Sequence, residues 1–386
     1  MSTGWKETQL RSKILVVGML DSVHLARWLG HFAHDGHDFL IFPSSPHRRV
    51  HPLLKELLAN KSDSKFRVVG STRQTGVLLF VMDRLSGNRL ASLLLGQVID
   101  RFRPDYLHAV EIQHAGYMCL RTISRKGKGK YRFLVTNYGS DLFWFARFEE
   151  HRQRIVQILS LADGYFAECE RDVSLARKLG YQGRTFPVAP NAGGFSSEIL
   201  ERPLTSSRDR STILIKGYHG WVGRAKIALD AIRLLADELE GVEVVVYSAN
   251  LVTWVKAMQV RLEAKIRIKV FLKNQLTHSQ MLELFSKSKV YVGLSLSDGI
   301  STSMLEAMAM GAVPVQTSTA CCDEWFNETG VKIDELRPET VANGIREAIR
   351  LSQLPQVAQE NKKTVSQKAS IEFVSLATNG FYGGRH

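Results

Sequence analysis

The chain has 386 residues, of which 44% are hydrophobic, so the sequence predicts a globular protein of two or three domains and excludes a disordered chain. Its formal net charge of +13 predicts a surface that attracts an anionic partner, whether nucleic acid, an acidic membrane or a phosphorylated substrate. The first apolar run, ILVVGML, is too short for a signal-peptide core or a membrane span, and the four cysteines lack a metal-binding spacing, so we expect a cytoplasmic protein with reduced thiols.

Short β-branched runs alternate with helix-patterned segments from Lys13 onward. The apolar runs of the first half are KILVVG, DFLIFP, DYLHAV, RFLVTNYG and GYFAEC. Helix-patterned segments such as SVHLARWLGHFAHDG and ASLLLGQVIDRF stand between them. Alternation of this kind predicts βαβ units and a parallel sheet that helices cover on both faces.

The alternation breaks at RPLTSSRDRS and then restarts. The apolar runs of the second half are TILIKG, VEVVVYS, IRIKVFL, VYVGLSL and AVPVQT, again with helix-patterned segments between them. The sequence therefore predicts an α/β fold with two doubly wound, Rossmann-like domains. We place the first domain at residues 1–200, a linker at 201–211 and the second domain at 212–355.

The segment SLSDGISTSMLEAMAMGAVPVQ contains two carboxylates, Asp298 in a predicted loop and Glu306 in the helix that follows. Open parallel sheets bind ligands at the carboxyl ends of their strands, where loops precede helix N-termini. The backbone N–H groups of residues 302–304 therefore predict an anion site. Glu306 lies about one turn deeper, where a carboxylate suits ribose or sugar hydroxyls better than a phosphate.

The stretch SDGISTSMLEAMAMGAVPV resembles the E-G-x-x-x-x-x-x-E-A-M-A-x-G-x-P-V signature of retaining, nucleotide-sugar-dependent glycosyltransferases of family 4. That family has the GT-B fold, in which two Rossmann-like domains face a cleft. The resemblance implies that Asp298, in place of the usual glutamate, touches the donor sugar and that Glu306 holds the ribose. It also implies donor contacts from the residues between these acids, which are Gly299, Ile300, Ser301, Thr302 and Ser303.

The segment KGYHGWVGRAKIALDAI stands where family members carry a glycine loop with an Arg and a Lys that clamp the diphosphate. Aligned on Gly217, the usual Arg position is Tyr218 and the usual Lys position is Gly223. We therefore expect a displaced clamp with Arg224 as the replacement cation, because a guanidinium can bridge phosphate oxygens. The other candidates in this segment are Lys216, His219 and Lys226, and a solvated helix charge is an equal alternative for Lys226.

The first half resembles the acceptor side of the same family. After the first strand, Gly18 stands at the close-approach position, Ser22 has the character of a helix N-cap and His24 follows it. The segment HAVEIQHAGY carries His108, Glu111 and His114 after another strand, a set that could mimic a metal cluster. Enzymes of this fold generally work without a metal, so we expect no metal ion and assign His114 to acceptor contacts.

The segment VTNYGSDLFWF resembles the His-Gly-x-Asp turn of the family, although Asn137 or Tyr138 stands at the histidine position. Gly139 and Asp141 keep the turn, and a helix N-cap is an equal alternative for Asp141. The resemblance also implies that residues 356–386 pack back on the first domain, as the C-terminal helix does in relatives.

The resemblance implies a glycosyltransferase that moves a sugar from a nucleoside-diphosphate sugar, such as a UDP-sugar, to an acceptor hydroxyl with anomeric retention. It implies no tightly bound cofactor. The basic surface favours a glycan or lipid-linked acceptor at the inner face of the plasma membrane, and thus bacterial envelope polysaccharide synthesis. The basic loop RTISRKGKGKYR, residues 121–132, is either a membrane contact or a solvated loop.

Three alternatives to this function stay open from the sequence. A nucleotide-sugar epimerase of the same fold would release free sugar without an acceptor. A phosphorylase would need a lysine for pyridoxal phosphate, which nothing in the sequence indicates. A nucleic-acid-binding α/β protein would interleave stacking aromatics with its basic residues, whereas residues 121–130 contain none.

Overall fold

The computed structural model of the protein describes residues 11–45, 50–70, 83, 85–86, 89–191 and 193–383. The chain forms two compact units. One unit covers the chain up to Gly193 and resumes at Val374, and the other covers Gly194–Phe373. The linker expected at 201–211 and residues 356–373 of the expected returning segment belong to the second unit.

The first unit contains a seven-stranded sheet in the order β3-β2-β1-β4-β5-β6-β7, and the pairs between its described strands are all parallel. The strands are β1 Lys13–Gly18, β2 Asp38–Pro43, β3 Lys65–Val68, β4 Tyr106–Val110, β5 Arg132–Thr136, β6 Gly164–Phe166 and β7 Arg184–Thr185. The helices are α1 Val23–Gly30, α2 Pro52–Ala59, α3 Leu90–Phe102, α4 Tyr117–Lys126, α5 Glu149–Leu161 and α6 Glu170–Lys178. A π-helical turn, Ile112–Gly116, follows β4.

The second unit contains a six-stranded parallel sheet in the order β10-β9-β8-β11-β12-β13. The strands are β8 Thr212–Lys216, β9 Glu243–Ala249, β10 Ile268–Leu272, β11 Ser288–Gly293, β12 Val313–Thr317 and β13 Val331–Ile333. The helices are α7 Ser197–Leu200, α8 Ala225–Leu234, α9 Leu251–Ala264, α10 His278–Lys287, α11 Thr302–Ala309, α12 Pro338–Leu351 and α13 Pro355–Ala369. The last helix, α14, spans Ile371–Thr378.

Central strands of both sheets are buried on both faces, as their continuous apolar runs predict. Residues 14–17 of β1 and residues 213–215 of β8 are almost fully inaccessible to solvent. Each sheet reverses its winding direction at its first strand, so the switch points lie between β1 and β4 and between β8 and β11. Ligands of doubly wound sheets bind at such switch points, beyond the carboxyl ends of the strands.

Residues near the end of the chain complete the core of the first unit. The hydroxyl of Tyr382 lies 2.6 Å from His108 Nδ1 and accepts a hydrogen bond from Trp28 Nε1 at 3.3 Å. Phe381 packs against the same tryptophan, with 5.0 Å between the ring centroids. Burial lowers the pKa of His108 to about 3, so this imidazole is neutral and structural.

Within the described residues, none of the helices combines the length and the apolar character that a bilayer crossing requires.

Candidate functional site

The acid loop, residues 294–301, connects β11 to α11 at the switch point of the second sheet. Asp298 donates its backbone N–H to Thr319 O at 3.2 Å, and its Oδ1 accepts from Gly299 N at 3.0 Å. These two hydrogen bonds hold Asp298 in place within the loop. Within the loop, Ile300 and Ser301 are buried.

The N-terminus of α11 offers two backbone donors rather than the three that the sequence predicts. Met304 N donates to Ser301 O at 2.9 Å and is therefore already paired. Thr302 N and Ser303 N have no acceptor within the described part of the chain. Two N–H groups at a helix N-terminus, aided by the helix dipole, can still hold an anionic oxygen.

Glu306 has a partner that the sequence analysis missed. His278 Nε2 lies 2.7 Å from Glu306 Oε1, a distance at which the ring donates when Nε2 carries the proton. Glu306 is buried, whereas the His278 side chain is 43% exposed. The sequence LTHSQ does contain a signal for the start of a helix, because Thr277 and Gln280 form a capping box. This capping box makes His278 the first residue of α10.

The glycine loop, residues 217–223, lies directly against the acid loop. Leu296 N donates to Val222 O at 2.9 Å, and Arg224 N donates to Leu294 O at 3.0 Å. Gly217 is required here because a Cβ would lie 2.8 Å from both Tyr247 O and the Cα of Ala249. The structure therefore brings together the two segments that the sequence predicts as the donor site.

The side chain of Arg224 points back into its own loop. Its Nη1 donates to Gly220 O and to Gly223 O, each at 2.8 Å. The guanidinium thereby stabilises the carbonyls of the glycine loop. The adjacent His219 accepts a hydrogen bond from Asn250 Nδ2 at its carbonyl oxygen, and burial, aided by Lys226 and Arg224, lowers the pKa of its imidazole.

Lys216 is the last residue of β8, and its ammonium group interacts electrostatically with both Asp298 and Glu306. Burial lowers the pKa of its ammonium group. The acidic groups of Tyr291, Asp298 and Glu306 outweigh burial, however, and raise the pKa above its ordinary value. Within the described residues, the ammonium has neither a hydrogen bond nor an ion pair. A charged lysine without an ion-pair partner among the described residues therefore lies at the switch point of the second sheet.

The acid loop and β12 each contribute one buried side-chain atom without a partner among the described residues. Ser297 Oγ and Gln316 Oε1 are buried and have no hydrogen-bond partner in the described part of the chain. Buried polar groups in folded proteins are nearly always hydrogen-bonded, so these two atoms indicate a place for a polar ligand or water. Gly293 leaves the necessary space, because a Cβ there would collide with Gln316 Oε1 and with the hydroxyl of Tyr291. Lys226, in the first turn of α8, has no ion pair among the described residues.

The loop after β4 in the first unit holds a strained residue. Glu111 has φ 78° and ψ 155°, a region that residues other than glycine rarely occupy, and it precedes the π-helical turn. Its carboxylate compensates by accepting from His114 N at 3.0 Å and from Ala115 N at 2.5 Å. His114 Nδ1 lies 3.2 Å from the same carboxylate, which raises the pKa of His114 although burial opposes the shift. Strain and π-helical turns both recur at functional sites.

Asp141 joins this loop to the loop after β5. Its Oδ2 accepts from Ile112 N and from Tyr138 N, each at 2.9 Å. It therefore holds two loops together and caps no helix. Burial, aided by the charge of Glu111, raises the pKa of the Asp141 carboxyl well above its usual range.

The remaining acceptor-side residues lie at the same edge of the first sheet. Asn137 is buried and donates from Nδ2 to Asp172 Oδ2 at 2.7 Å, and Gly139 O accepts from Arg171 at 3.1 Å. Ser22 is confirmed as the N-cap of α1, since its hydroxyl accepts from Leu25 N. Gly18 and His24 each pack closely against a neighbouring side chain of the first unit. A Cβ at Gly18 would meet the Leu25 side chain, and the His24 ring lies 5.5 Å from that of Tyr138.

Residues 197–365 match the sequence profile of the family described as glycosyl transferases group 1. This part of the chain, which contains the acid loop and the glycine loop, is thus a domain of that kind. Among curated proteins, no sequence matches the chain.

Solved structures resemble the chain over nearly its whole length. A glycosyltransferase from Rickettsia africae ESF-5 has 14% identity and a TM-score of 0.67, with 97% of this chain and 98% of that chain covered. HepE of Anabaena in complex with UDP has 13% identity and a TM-score of 0.67, with 96% and 99% covered. The E. coli structure described as trehalose-6-phosphate bound with UDP-2-fluoro glucose has 11% identity and a TM-score of 0.70, with 97% and 100% covered. These similarities confirm the GT-B fold, with two Rossmann-like parallel-sheet domains.

Proposed function

We propose that the protein is a retaining, family 4 type glycosyltransferase that moves a sugar from a nucleoside-diphosphate sugar to an acceptor hydroxyl. The observation that carries the proposal is the pairing of the acid loop with the glycine loop at the switch point of the second sheet. We take Asp298, Glu306, Lys216 and the backbone N–H groups of residues 302 and 303, which lie in or next to these segments, as the groups that bind the donor. Helix N–H groups and a lysine suit a diphosphate, and carboxylates suit the hydroxyls of a ribose and a sugar.

Each part of the donor has a proposed partner in this arrangement. The ribose hydroxyls donate to Glu306, which His278 orients. The diphosphate accepts from Thr302 N and Ser303 N, and the Lys216 ammonium neutralises its charge. The donor sugar contacts Asp298. Because two similar structures hold UDP or UDP-2-fluoro glucose, uridine diphosphate sugars are the first donors to test.

Transfer with retention requires that the acceptor approach on the face from which the diphosphate leaves. The departing phosphate oxygens can accept the proton of the acceptor hydroxyl, so no further carboxylate base is needed. Lys216 and the dipole of α11 stabilise the negative charge that develops on the diphosphate. Arg224 keeps the glycine loop in shape and adds its positive charge to the same region. In this scheme neither a metal ion nor a tightly bound cofactor takes part.

The acceptor is proposed to bind at the carboxyl edge of the first sheet. His114 has an accessible polar side chain there, and Glu111 and Asp141 fix the loop that carries it. Ser22, His24, Asn137 and Gly139 complete this edge. A glycan or lipid-linked acceptor at the inner face of a bacterial membrane, and so envelope polysaccharide synthesis, fits the net charge of +13.

A donor screen tests the proposed reaction. The protein is incubated with UDP- and GDP-sugars and with glycan and lipid-linked acceptors, and NMR reads the linkage of the product. We expect a product whose anomeric configuration equals that of the donor. Inversion at the anomeric carbon would overturn retention, and release of free sugar at the same rate with and without acceptors would favour an epimerase or hydrolase.

A further inference from the structure

Helix α9 carries apolar side chains on the face that points away from the second unit. Thr253, Ala257 and Val260 form its buried face. Leu251, Val255 and Leu262 fall within an arc of about 40° on the opposite side, given 3.6 residues per turn. Leu251 and Leu262 are 69% and 79% exposed. The helix is thus apolar on both faces, but the second unit buries only one of them. The other apolar face is exposed, and such exposed patches mark interaction sites.

Basic side chains border this apolar face. A groove of about 610 Å³ lies between α9 and β10, and Trp254, which is 43% exposed, contributes to its wall. The charged residues that line the groove are four cations and one acid, namely Arg261, Lys265, Arg267, Lys269 and Glu243. None of the four cations forms an ion pair within the described residues. We call the exposed apolar residues, with these four cations, the α9 surface; the apolar members are Leu251, Val252, Trp254, Val255 and Leu262.

We propose that the α9 surface binds the anionic headgroup region of a phospholipid membrane. Exposed aliphatic side chains and a tryptophan on one side of a helix suit insertion at the boundary between headgroups and acyl chains. The neighbouring lysines and arginines suit lipid phosphates, and the groove has room for a headgroup. The inference is independent of the proposed transfer reaction.

The charge distribution argues against other occupants. A second copy of the chain would bring four more unpaired cations against the same four, which opposes self-association. A protein strand is disfavoured because the edge strand β10 carries Lys269 and follows Arg267, and charged residues on an edge discourage strand pairing. Single-stranded nucleic acid binds to stacking aromatics between the cations, whereas the exposed apolar residues here are mostly aliphatic.

The basic loop of the sequence analysis, residues 121–132, provides the contrast, although the structure places residues 121–126 in α4 and Arg132 in β5, so that only residues 127–131 form a loop. Lys126 forms an ion pair with Asp100, and Lys128 forms one with Asp163 at 2.8 Å. Arg125 donates to Ser92 O at 3.3 Å. Much of its charge is therefore already neutralised or engaged by the protein itself. The two basic regions thus form a matched pair for experiment. Among the described residues, the cations of the α9 surface form no ion pair and lie next to apolar residues, whereas Lys126 and Lys128 of the basic loop are paired.

The test is flotation of the full chain with vesicles of phosphatidylcholine alone or with about one third phosphatidylglycerol. One variant neutralises the α9 surface by Arg261→Gln, Lys265→Gln, Arg267→Gln and Lys269→Gln. The matched control removes the same number of charges from the basic loop by Arg125→Gln, Lys126→Gln, Lys128→Gln and Lys130→Gln. A third variant, Leu251→Ser with Leu262→Ser, removes apolar contacts without a change in charge. Circular dichroism and thermal unfolding establish that each variant is folded.

We expect binding to the anionic vesicles that weakens at high salt. Each cation near an anionic surface contributes about 1 kcal/mol, so the loss of four cations in the quadruple α9 variant should weaken binding about a thousandfold, against less than about threefold for the loop control. The Leu251/Leu262 variant should lose about tenfold. A blue shift of tryptophan fluorescence on binding should diminish in Trp254→Phe.

Three results would overturn the proposal. The first is a wild-type chain that does not bind anionic vesicles at low salt. The second is an equal loss in both quadruple variants, which would indicate attraction to net charge alone. The third is concentration-dependent dimerisation in light scattering, or oligonucleotide binding, that the α9 variants abolish while vesicle binding is unchanged.

Discussion

The imidazole of His278 lies 2.7 Å from the carboxylate of Glu306, although 28 positions separate the two residues in the sequence. The histidine begins α10, and the glutamate lies in the second turn of α11. Their contact fixes the direction of a buried carboxylate next to the acid loop. Removal of either partner should therefore affect the same ligand group.

We expect His278→Ala to weaken UDP binding by about threefold to tenfold, because one hydrogen bond that orients Glu306 is lost at about 1 kcal/mol. His278→Gln should recover part of the affinity, since its amide can also donate to a carboxylate. Calorimetric titration with UDP measures both variants. Equal affinity of the alanine variant and the wild type would remove His278 from the site.

Replacement of Lys216 by methionine should lower kcat about a hundredfold, the scale of one strong electrostatic contact to developing charge. Methionine preserves most of the side-chain volume, so the fold should persist. Lys226→Met provides the comparison within the same segment and should cause the smaller loss, because Lys226 lies on the helix surface. A larger loss at Lys226 than at Lys216 would show that the clamp had been assigned to the wrong residue.

For Arg224→Ala we expect a loss of kcat of about a hundredfold together with a looser glycine loop, because two carbonyls lose their donor. Arg224→Lys should recover only part, since an ammonium group cannot reproduce the fork geometry of the guanidinium. Hydrogen exchange of residues 217–223 reports the loop, and steady-state kinetics report the charge. Unchanged exchange with a full loss of kcat would assign Arg224 to the diphosphate alone.

Stability should depend on pH through His114. Its hydrogen bond to Glu111 raises its pKa in the folded state above the unfolded value of about 6.5. The stabilisation is therefore complete below the unfolded pKa and is lost as pH rises through the folded pKa. Because the side chain is largely exposed, we expect less than about 1 kcal/mol. Urea unfolding of wild type and His114→Gln should differ most near pH 5.5 and least near pH 9; the opposite trend would refute the assignment.

The sequence predicts the two sheets well because their central strands are buried on both faces and read as continuous apolar runs. The acid loop was also predictable, since a glycine-bearing loop, a short helix and two acids occur within one segment. The contact between His278 and Glu306 was not, because it depends on the order of strands in the sheet. Sequence spacing alone does not bring α10 next to α11.

The directions of side chains at the site were also not predictable from the sequence. Arg224 stands at the expected place in the segment, but its guanidinium bonds to the carbonyls of its own loop, whereas the charges of both acids act on Lys216. Glu111 shows the same limit, because a glutamate with positive φ contradicts local preference and persists only through its bonds to His114 N and Ala115 N. Tertiary contacts determine these side-chain directions and backbone angles, and intrinsic residue propensities do not predict them.

The division of labour between Glu306 and Asp298 is the centre of the proposed donor site, and one calorimetric titration with UDP tests it most directly. Glu306→Gln should weaken UDP binding about tenfold to 150-fold, because a hydrogen bond to a charged group contributes about 1.5–3 kcal/mol. Asp298→Asn should bind UDP within about threefold of the wild type, since its proposed partner is the sugar, which UDP lacks. Absence of UDP binding by the wild type, or a loss at Asp298 that equals the loss at Glu306, would contradict the account.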